Sequence, residues 1–202
     1  MHFLDPIFII KTAGLIGVLF VIFAESGLFF GFFLPGDSLL FTAGLIASQG
    51  TINIYALLAL SFLCAILGDA VGFWFGKKVG PALFKREKSF FFRPEHLEKT
   101  KIFYEKYGKK TIILARFLPI IRTFAPILAG IGQMQYRTFF TYNVIGGLLW
   151  TQGMVLLGYI LGNLIPNIEK YITPIVLLII VVSFLPGIRE LYLAKRDSHN
   201  PK

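Results

Sequence analysis

The sequence predicts an all-α polytopic membrane protein, with about four transmembrane helices and two proline-broken re-entrant hairpins in an inverted repeat. Three observations lead there. Apolar residues make up 55% of the 202, and they are bunched into runs of the length a hydrocarbon layer requires, where a soluble helix would bury one stripe. Two of the runs are interrupted by proline and glycine. Basic residues gather in one segment between the runs. A single integral membrane domain over residues 1–202 follows.

Residues 7–24 form the first span, with Lys11 near one end where its stem reaches the interface. The segment before it carries Asp5 and no small-residue cleavage site follows, so a cleavable secretory signal is not expected. Residues 27–47 are apolar but broken at Pro35-Gly36-Asp37, where proline removes a backbone donor and glycine frees the turn. Backbone groups released in this way are tolerated in hydrocarbon only where protein or trapped water satisfies them. The segment therefore reads as a re-entrant hairpin. Residues 52–76 form the second span and complete a first half over 7–76.

Residues 77–110 form a basic loop. Eleven basic residues against four acidic ones leave it at +7 within a chain of +9. The positive-inside bias holds such a loop in the cytoplasm, and its charge suits anionic headgroups rather than nucleic acid. Residues 94–110 could lie on the surface as an amphipathic helix starting at Pro94.

The second half spans 111–165. Residues 111–132 are broken by Pro119 and Pro126, with Arg116 and Arg122 inside the run, and read as a second re-entrant hairpin. Residues 139–163 form the third span. A terminal span over 172–190, apolar through residue 188, has Pro174 and Pro186 near its ends. With the basic loop in the cytoplasm and each hairpin returning to its own side, both termini fall in the cytoplasm, which suits the basic C-terminal tail.

The hairpins share wording. Phe33-Leu34-Pro35 with Ala43-Gly44 answers Phe117-Leu118-Pro119 with Ala129-Gly130, and Asp69-x-x-Gly72 answers Asn143-x-x-Gly146. Paired proline-interrupted segments in corresponding halves point to a transporter's substrate site.

Five charges stand where apolar residues would be cheaper: Glu25, Asp37, Asp69, Arg116 and Arg122. At a helix centre each costs about 2.5–3.5 kcal/mol, on the order of 12–17 kcal/mol together. They must be paired or face a wet cavity. The simplest arrangement sets Glu25 and Asp37 against Arg116 and Arg122, and these four are the expected substrate-binding and proton-coupling residues. Asp69, Pro35, Gly36, Pro119 and Asn143 are secondary candidates. Such pairs can be purely structural. Functionally, arginine's planar fork suits phosphate. A phosphate arriving there would displace a carboxylate, which desolvation then favours in its protonated form.

The glycines around Asp69 read as close helix packing. Trp74, Tyr104, Tyr107, Tyr142 and Trp150 read as ordinary interface or packing aromatics. His2, His96 and His199 have no ligand spacing, and Cys64 is the only cysteine. No disulfide, zinc cluster, metal site or other cofactor is implied. No nucleophile with a base is visible, so no enzyme is expected.

Glu25-x-Gly27, Leu34-Pro35-Gly36-Asp37 and Gly68-Asp69-x-x-Gly72-Phe73 resemble the first half of bacterial DedA-family proteins. Arg116-Phe117-x-Pro119-x-x-Arg122-Thr123, Ala129-Gly130 and Asn143-x-x-Gly146-x-x-x-Trp150 resemble the second half. The likeness covers roughly residues 10–165 and departs from the commonest wording at Ile120-Ile121. The wider group includes eukaryotic VTT-domain lipid scramblases. The resemblance implies a bacterial inner-membrane protein with two re-entrant hairpins, in which Glu25, Asp37, Arg116 and Arg122 are needed for activity. It links the chain to proton-motive-force-dependent envelope homeostasis. Relatives are implicated in returning undecaprenyl phosphate across the membrane, in phospholipid movement, or in resistance to cationic compounds.

The expected function is a flippase or scramblase for a polyprenyl phosphate or phospholipid, with lipids and protons as partners and room for a homo-oligomer. A proton-coupled small-ion or drug transporter is the alternative, with the arginines as internal counter-ions. A non-transporting membrane assembly factor is the second alternative. In that case neutral replacements would lower abundance rather than flux.

Overall fold

Three helices long and apolar enough to cross a membrane organise the protein. The computed structural model describes residues 6–28, 31–84 and 110–165, with isolated positions at 174 and 178. Helix α1 covers Pro6–Gly27. A short 3-10 turn, Gly31–Phe33, leads to α2, Gly36–Ser48. Helix α3 covers Ile54–Phe84. After the undescribed stretch come α4, Lys110–Ala115, α5, Pro119–Ile131, and α6, Tyr136–Leu164. All regular elements among the described residues are helical. The expected terminal span 172–190, the surface helix at 94–110 and most of the basic loop lie outside the described residues.

The 22 residues of α1 reach about 33 Å at helical rise, enough for a hydrocarbon core of about 30 Å. The helix is kinked at Gly14, whose φ of 56° and ψ of −144° only glycine adopts readily. Outward faces remain apolar: Ile16 and Phe20 on α1, Leu63 and Leu67 on α3, and Leu149 and Leu157 on α6 are all exposed. Water would penalise each of these by its apolar area, whereas lipid does not. The chain is a multi-pass membrane protein.

Two boundaries differ from expectation. Helix α3 continues past Lys77 and Lys78 to Phe84, so the basic segment begins as helix. Polar stems can snorkel to the interface without ending the hydrogen-bond ladder. In the second proline-broken segment the interruption falls at Arg116–Leu118. Pro119 opens α5 at its first turn, where its missing N–H is no loss, and Pro126 sits inside α5 without ending it. The first segment behaves similarly. Its break precedes Gly36, which with Asp37 begins α2.

The short helices cross the long helices of the opposite half. Helix α2 packs chiefly on α6, and α5 packs on α3. Both crossings are backbone to backbone at glycine. A Cβ on Gly44 would strike the Val155 carbonyl and one on Gly158 the Phe41 carbonyl. A Cβ on Gly76 would strike the Ile127 carbonyl and one on Gly130 the Phe73 carbonyl. Small residues allow this approach where no hydrophobic force drives helices together. One buried cluster fills the α1–α2–α6 side around Ile22, Leu39, Leu40 and Trp150. Another joins Phe73 to Phe139, whose stacked rings lie 4.5 Å apart.

Candidate functional site

Five charged side chains point into the interior, four of them at helix ends, breaks or first turns and one from the middle of α3. Glu25 lies in the last turn of α1, Asp37 in the first turn of α2, and Asp69 within the apolar part of α3. Arg116 sits in the turn between α4 and α5, and Arg122 in the first turn of α5. Glu25, Asp69, Arg116 and Arg122 are each 2% exposed and Asp37 is 17% exposed.

Arg122 is held by both carboxylates of the first half. Its Nη2 donates to Glu25 Oε1, and its Nη1 donates to Asp37 Oδ1 at 2.8 Å. Glu25 fits because position 36 is glycine. A Cβ there would occupy the space of Glu25 Oε2, so the carboxylate lies directly against the start of α2. Arg116 takes a different pair. Its Nη2 donates to Asp69 Oδ2 and to Asn143 Oδ1. Asn143 in turn donates to the Ile66 carbonyl at 3.4 Å. Gly146 and Gly147 on α6 make room for this arginine, since a Cβ at 146 would lie 3.0 Å from Arg116 Cδ.

The expected pairing is thus corrected in one respect. Glu25 and Asp37 do not divide between two arginines. Both serve Arg122, while Asp69, a secondary candidate from the sequence, supplies the counter-charge for Arg116. Asn143 joins it. The two positions matched as Asp69-x-x-Gly72 and Asn143-x-x-Gly146 meet on one guanidinium. Pro35 and Pro119 stand at the breaks before α2 and α5, from whose first turns Asp37 and Arg122 project.

Trp150 was missed as a site residue. Its indole Nε1 donates to Asp37 Oδ1 at 2.7 Å. The Arg122 guanidinium lies over its ring at 4.3 Å from the centroid, and that of Arg116 at 5.9 Å. It therefore stands between the two clusters. Its seven-residue spacing from Asn143, two helical turns along one face, was the available signal.

Three carboxylates and two guanidiniums give the interior a formal excess of one negative charge. In low-dielectric surroundings such groups interact strongly and are costly when unpaired. Several atoms remain unused. Among the described residues Glu25 Oε2, Asp69 Oδ1, Arg122 Nε, and Arg116 Nε and Nη1 are buried without a hydrogen-bond partner. No three His, Cys, Asp or Glu side chains gather among the described residues as a metal site. Beside the Glu25 end lies an apolar cleft of about 530 Å³, bordered by Gly27, Gly31, Leu34, Val71, Phe75 and Ile127.

Comparison with known proteins matches the VTT domain to residues 34–160, more than half the chain and all of the site except Glu25. The chain is 50% identical to Protein DedA of Escherichia coli K12 over 178 residues, covering 87% of this chain and 81% of that protein. It is 44% identical to an uncharacterised membrane protein of Mycobacterium leprae over 191 residues, covering 92% and 85%. It is 31% identical to the inner membrane protein YghB of Escherichia coli over 160 residues, covering 76% and 72%. No solved structure matches the chain.

Proposed function

Since this chain belongs to the DedA family of VTT-domain membrane proteins, we propose that it moves a phosphate-bearing lipid across the bacterial inner membrane. The cargo is a polyprenyl phosphate such as undecaprenyl phosphate, or a phospholipid, and the movement is linked to the proton gradient. One observation carries the reading. Two arginines buried among the helices, in the turn before α5 and in its first turn, retain unused donors at Arg122 Nε and Arg116 Nε and Nη1, beside carboxylates that also hold unused acceptors. A phosphate presents several acceptor oxygens to such donors and forms bidentate bonds with guanidinium.

In this mechanism the headgroup phosphate takes Arg122 from Glu25 or Asp37. The displaced carboxylate, in a dry site, is favoured in its protonated form, so anion and proton enter together. The apolar cleft beside Gly27 and Ile127 suits hydrocarbon. The two proline-broken segments are re-entrant hairpins of an inverted repeat. The reciprocal crossings of α2 on α6 and α5 on α3, and the meeting of Asp69 and Asn143 on Arg116, support this. Both termini lie in the cytoplasm, on the side of the basic 77–110 segment.

The test is flux of labelled undecaprenyl phosphate in proteoliposomes, with and without a pH gradient, for wild type, Arg122→Lys and Asp37→Asn. Gradient-dependent flux lost in both folded variants supports the proposal. Absence of lipid flux in wild type overturns it.

A second reading is favoured by the excess carboxylate. Because each arginine already has a carboxylate partner, the arginines can serve as fixed counter-ions in a proton-coupled small-ion or drug transporter. Dissipation of the pH gradient on adding a cation, without lipid flux, would establish it.

A further inference from the structure

The apolar span of α3, Ile54–Val79, carries Lys77 and Lys78 in its last turn. Both are exposed, and neither is ion-paired among the described residues. Lys77 Nζ lies over the Trp74 ring at 5.2 Å from its centroid. Tyr136, the first residue of α6, packs on the same indole with ring centroids 5.6 Å apart. Trp74 is itself 53% exposed. Cations and amphipathic rings gathered at the end of a span sit at the level of lipid headgroups.

Deeper along the same face, α3 is apolar. Val71, Phe75 and Lys78 are four and three residues apart, so they share one face of the helix. At helical rise Phe75 lies about 4.5 Å and Val71 about 10.5 Å along the axis from Lys78. Phe75 and Val71 form the α3 wall of the cleft of about 530 Å³, whose other walls come from the end of α1, the turn after it and Ile127 of α5. That volume is in the range of small-molecule sites. From the membrane boundary inward the order is thus cation, indole, apolar cleft, which matches phosphate headgroup followed by hydrocarbon chain.

We propose that this face of α3 is where lipid loads from the leaflet on the side of the basic 77–110 segment, with its phosphate at Lys77 and Lys78 and its chain in the cleft. As a loading position it rests on the lipid-movement reading above, but its residues are separate from the buried charges. An ammonium holds phosphate as a point charge without the fixed geometry of a guanidinium fork, so the lipid is retained at the boundary and remains free to move inward. The cleft reaches Gly27, two residues along α1 from Glu25. A chain seated there already lies beside the helix end that carries the first carboxylate of the interior cluster.

The experiment uses the full chain in phosphatidylcholine proteoliposomes. The chain has two tryptophans, Trp74 and Trp150, so subtracting the emission of Trp74→Phe isolates Trp74. Phosphatidylglycerol brominated along its chains is the anionic probe, and equally brominated phosphatidylcholine is the control. Trp74 should be quenched preferentially by the anionic lipid. The preference should fall about fivefold for each of Lys77→Gln and Lys78→Gln, persist when both lysines are replaced by arginine, and weaken with added salt. In flux of labelled undecaprenyl phosphate, Lys77→Gln/Lys78→Gln should need more lipid for half-maximal rate and still reach the wild-type maximum.

Equal quenching of Trp74 by the two lipids would overturn the inference and leave the proposed lipid movement standing. Unchanged half-saturation in Lys77→Gln/Lys78→Gln would overturn the loading role in the same way. Absence of flux in wild type removes the proposed function and the loading position with it. Should the double variant fail to fold, wild type decides through salt: a preference undiminished at high salt refutes contact with the lysines, and one that fades supports it.

Discussion

Arg122 Nη1 lies 2.8 Å from Asp37 Oδ1 and ties the first turn of α5 to the first turn of α2 across 85 residues of sequence. With Glu25 on the neighbouring nitrogen, this one guanidinium joins three helices in the interior. Arg122→Met would remove the cation that Glu25 and Asp37 share, and removing one partner of a buried pair costs about 3–5 kcal/mol. We expect a large fall in melting temperature and membrane abundance for Arg122→Met. Arg122→Lys should fold yet lose lipid flux by about tenfold or more, because an ammonium cannot bridge two oxygens as a planar fork does. Full flux in Arg122→Lys would reduce the arginine to a counter-charge.

Gly36→Ala should destabilise the protein against the helix-forming preference of alanine. Within a helix that exchange ordinarily gains about 0.5–1 kcal/mol. Here the added methyl enters the space of Glu25 Oε2, and overpacking of this kind costs about 1–3 kcal/mol. Thermal melting of the purified variant gives the sign. A stabilised protein would show that Glu25 does not rest against α2.

Asp69→Asn should be destabilising and rescued by Asn143→Asp. Both side chains bond the same Arg116 nitrogen, so moving the charge from α3 to α6 restores neutrality. The single change removes a buried counter-charge, at about 3–5 kcal/mol. A double mutant no more stable than Asp69→Asn would refute the equivalence of the two positions.

Glycines at the crossings and elsewhere should behave in opposite ways. A Cβ at Gly130 meets the Phe73 carbonyl and lies 2.8 Å from the Lys77 nitrogen, whereas nothing lies within 4 Å of one at Gly153. Gly130→Ala is expected to destabilise by about 1–3 kcal/mol. Gly153→Ala should be neutral or slightly stabilising. Paired melting curves in one detergent check both.

Phosphate binding should strengthen as pH falls. The interior already carries a formal excess of one carboxylate over guanidinium, so a further anion is accommodated by proton uptake, and linkage requires affinity to rise with proton concentration. Glu25→Gln imitates the protonated form and should flatten the profile. Calorimetric titration of an alkyl phosphate across pH 5 to 8 on the order of half-unit steps measures this. An unchanged slope in Glu25→Gln would assign the proton elsewhere.

Much of the architecture was legible in the residues alone. A span must be long and apolar, a property of one stretch of chain, so α1, α3 and α6 could be placed within a few residues at most ends. The breaks could be expected from Pro35 and Pro119. Which residue would sit in the break could not, because proline is as comfortable at the first turn of a helix as in a turn. For that reason Arg116, rather than Pro119, occupies the turn before α5.

The charged residues were also legible, because each is expensive in hydrocarbon wherever it points. Their partners were not. Pairing depends on which helix faces which, and that is decided where α2 crosses α6 at Gly44 and Gly158 and where α5 crosses α3 at Gly76 and Gly130. Those crossings sent Asp69 and Asn143 to Arg116, left Glu25 and Asp37 with Arg122, and set the Trp150 indole between them. By itself the sequence determined that the chain enters the membrane and which groups would need company there. Only the tertiary structure decided the company, since the cost of a buried charge belongs to one residue and the bond that relieves it belongs to two.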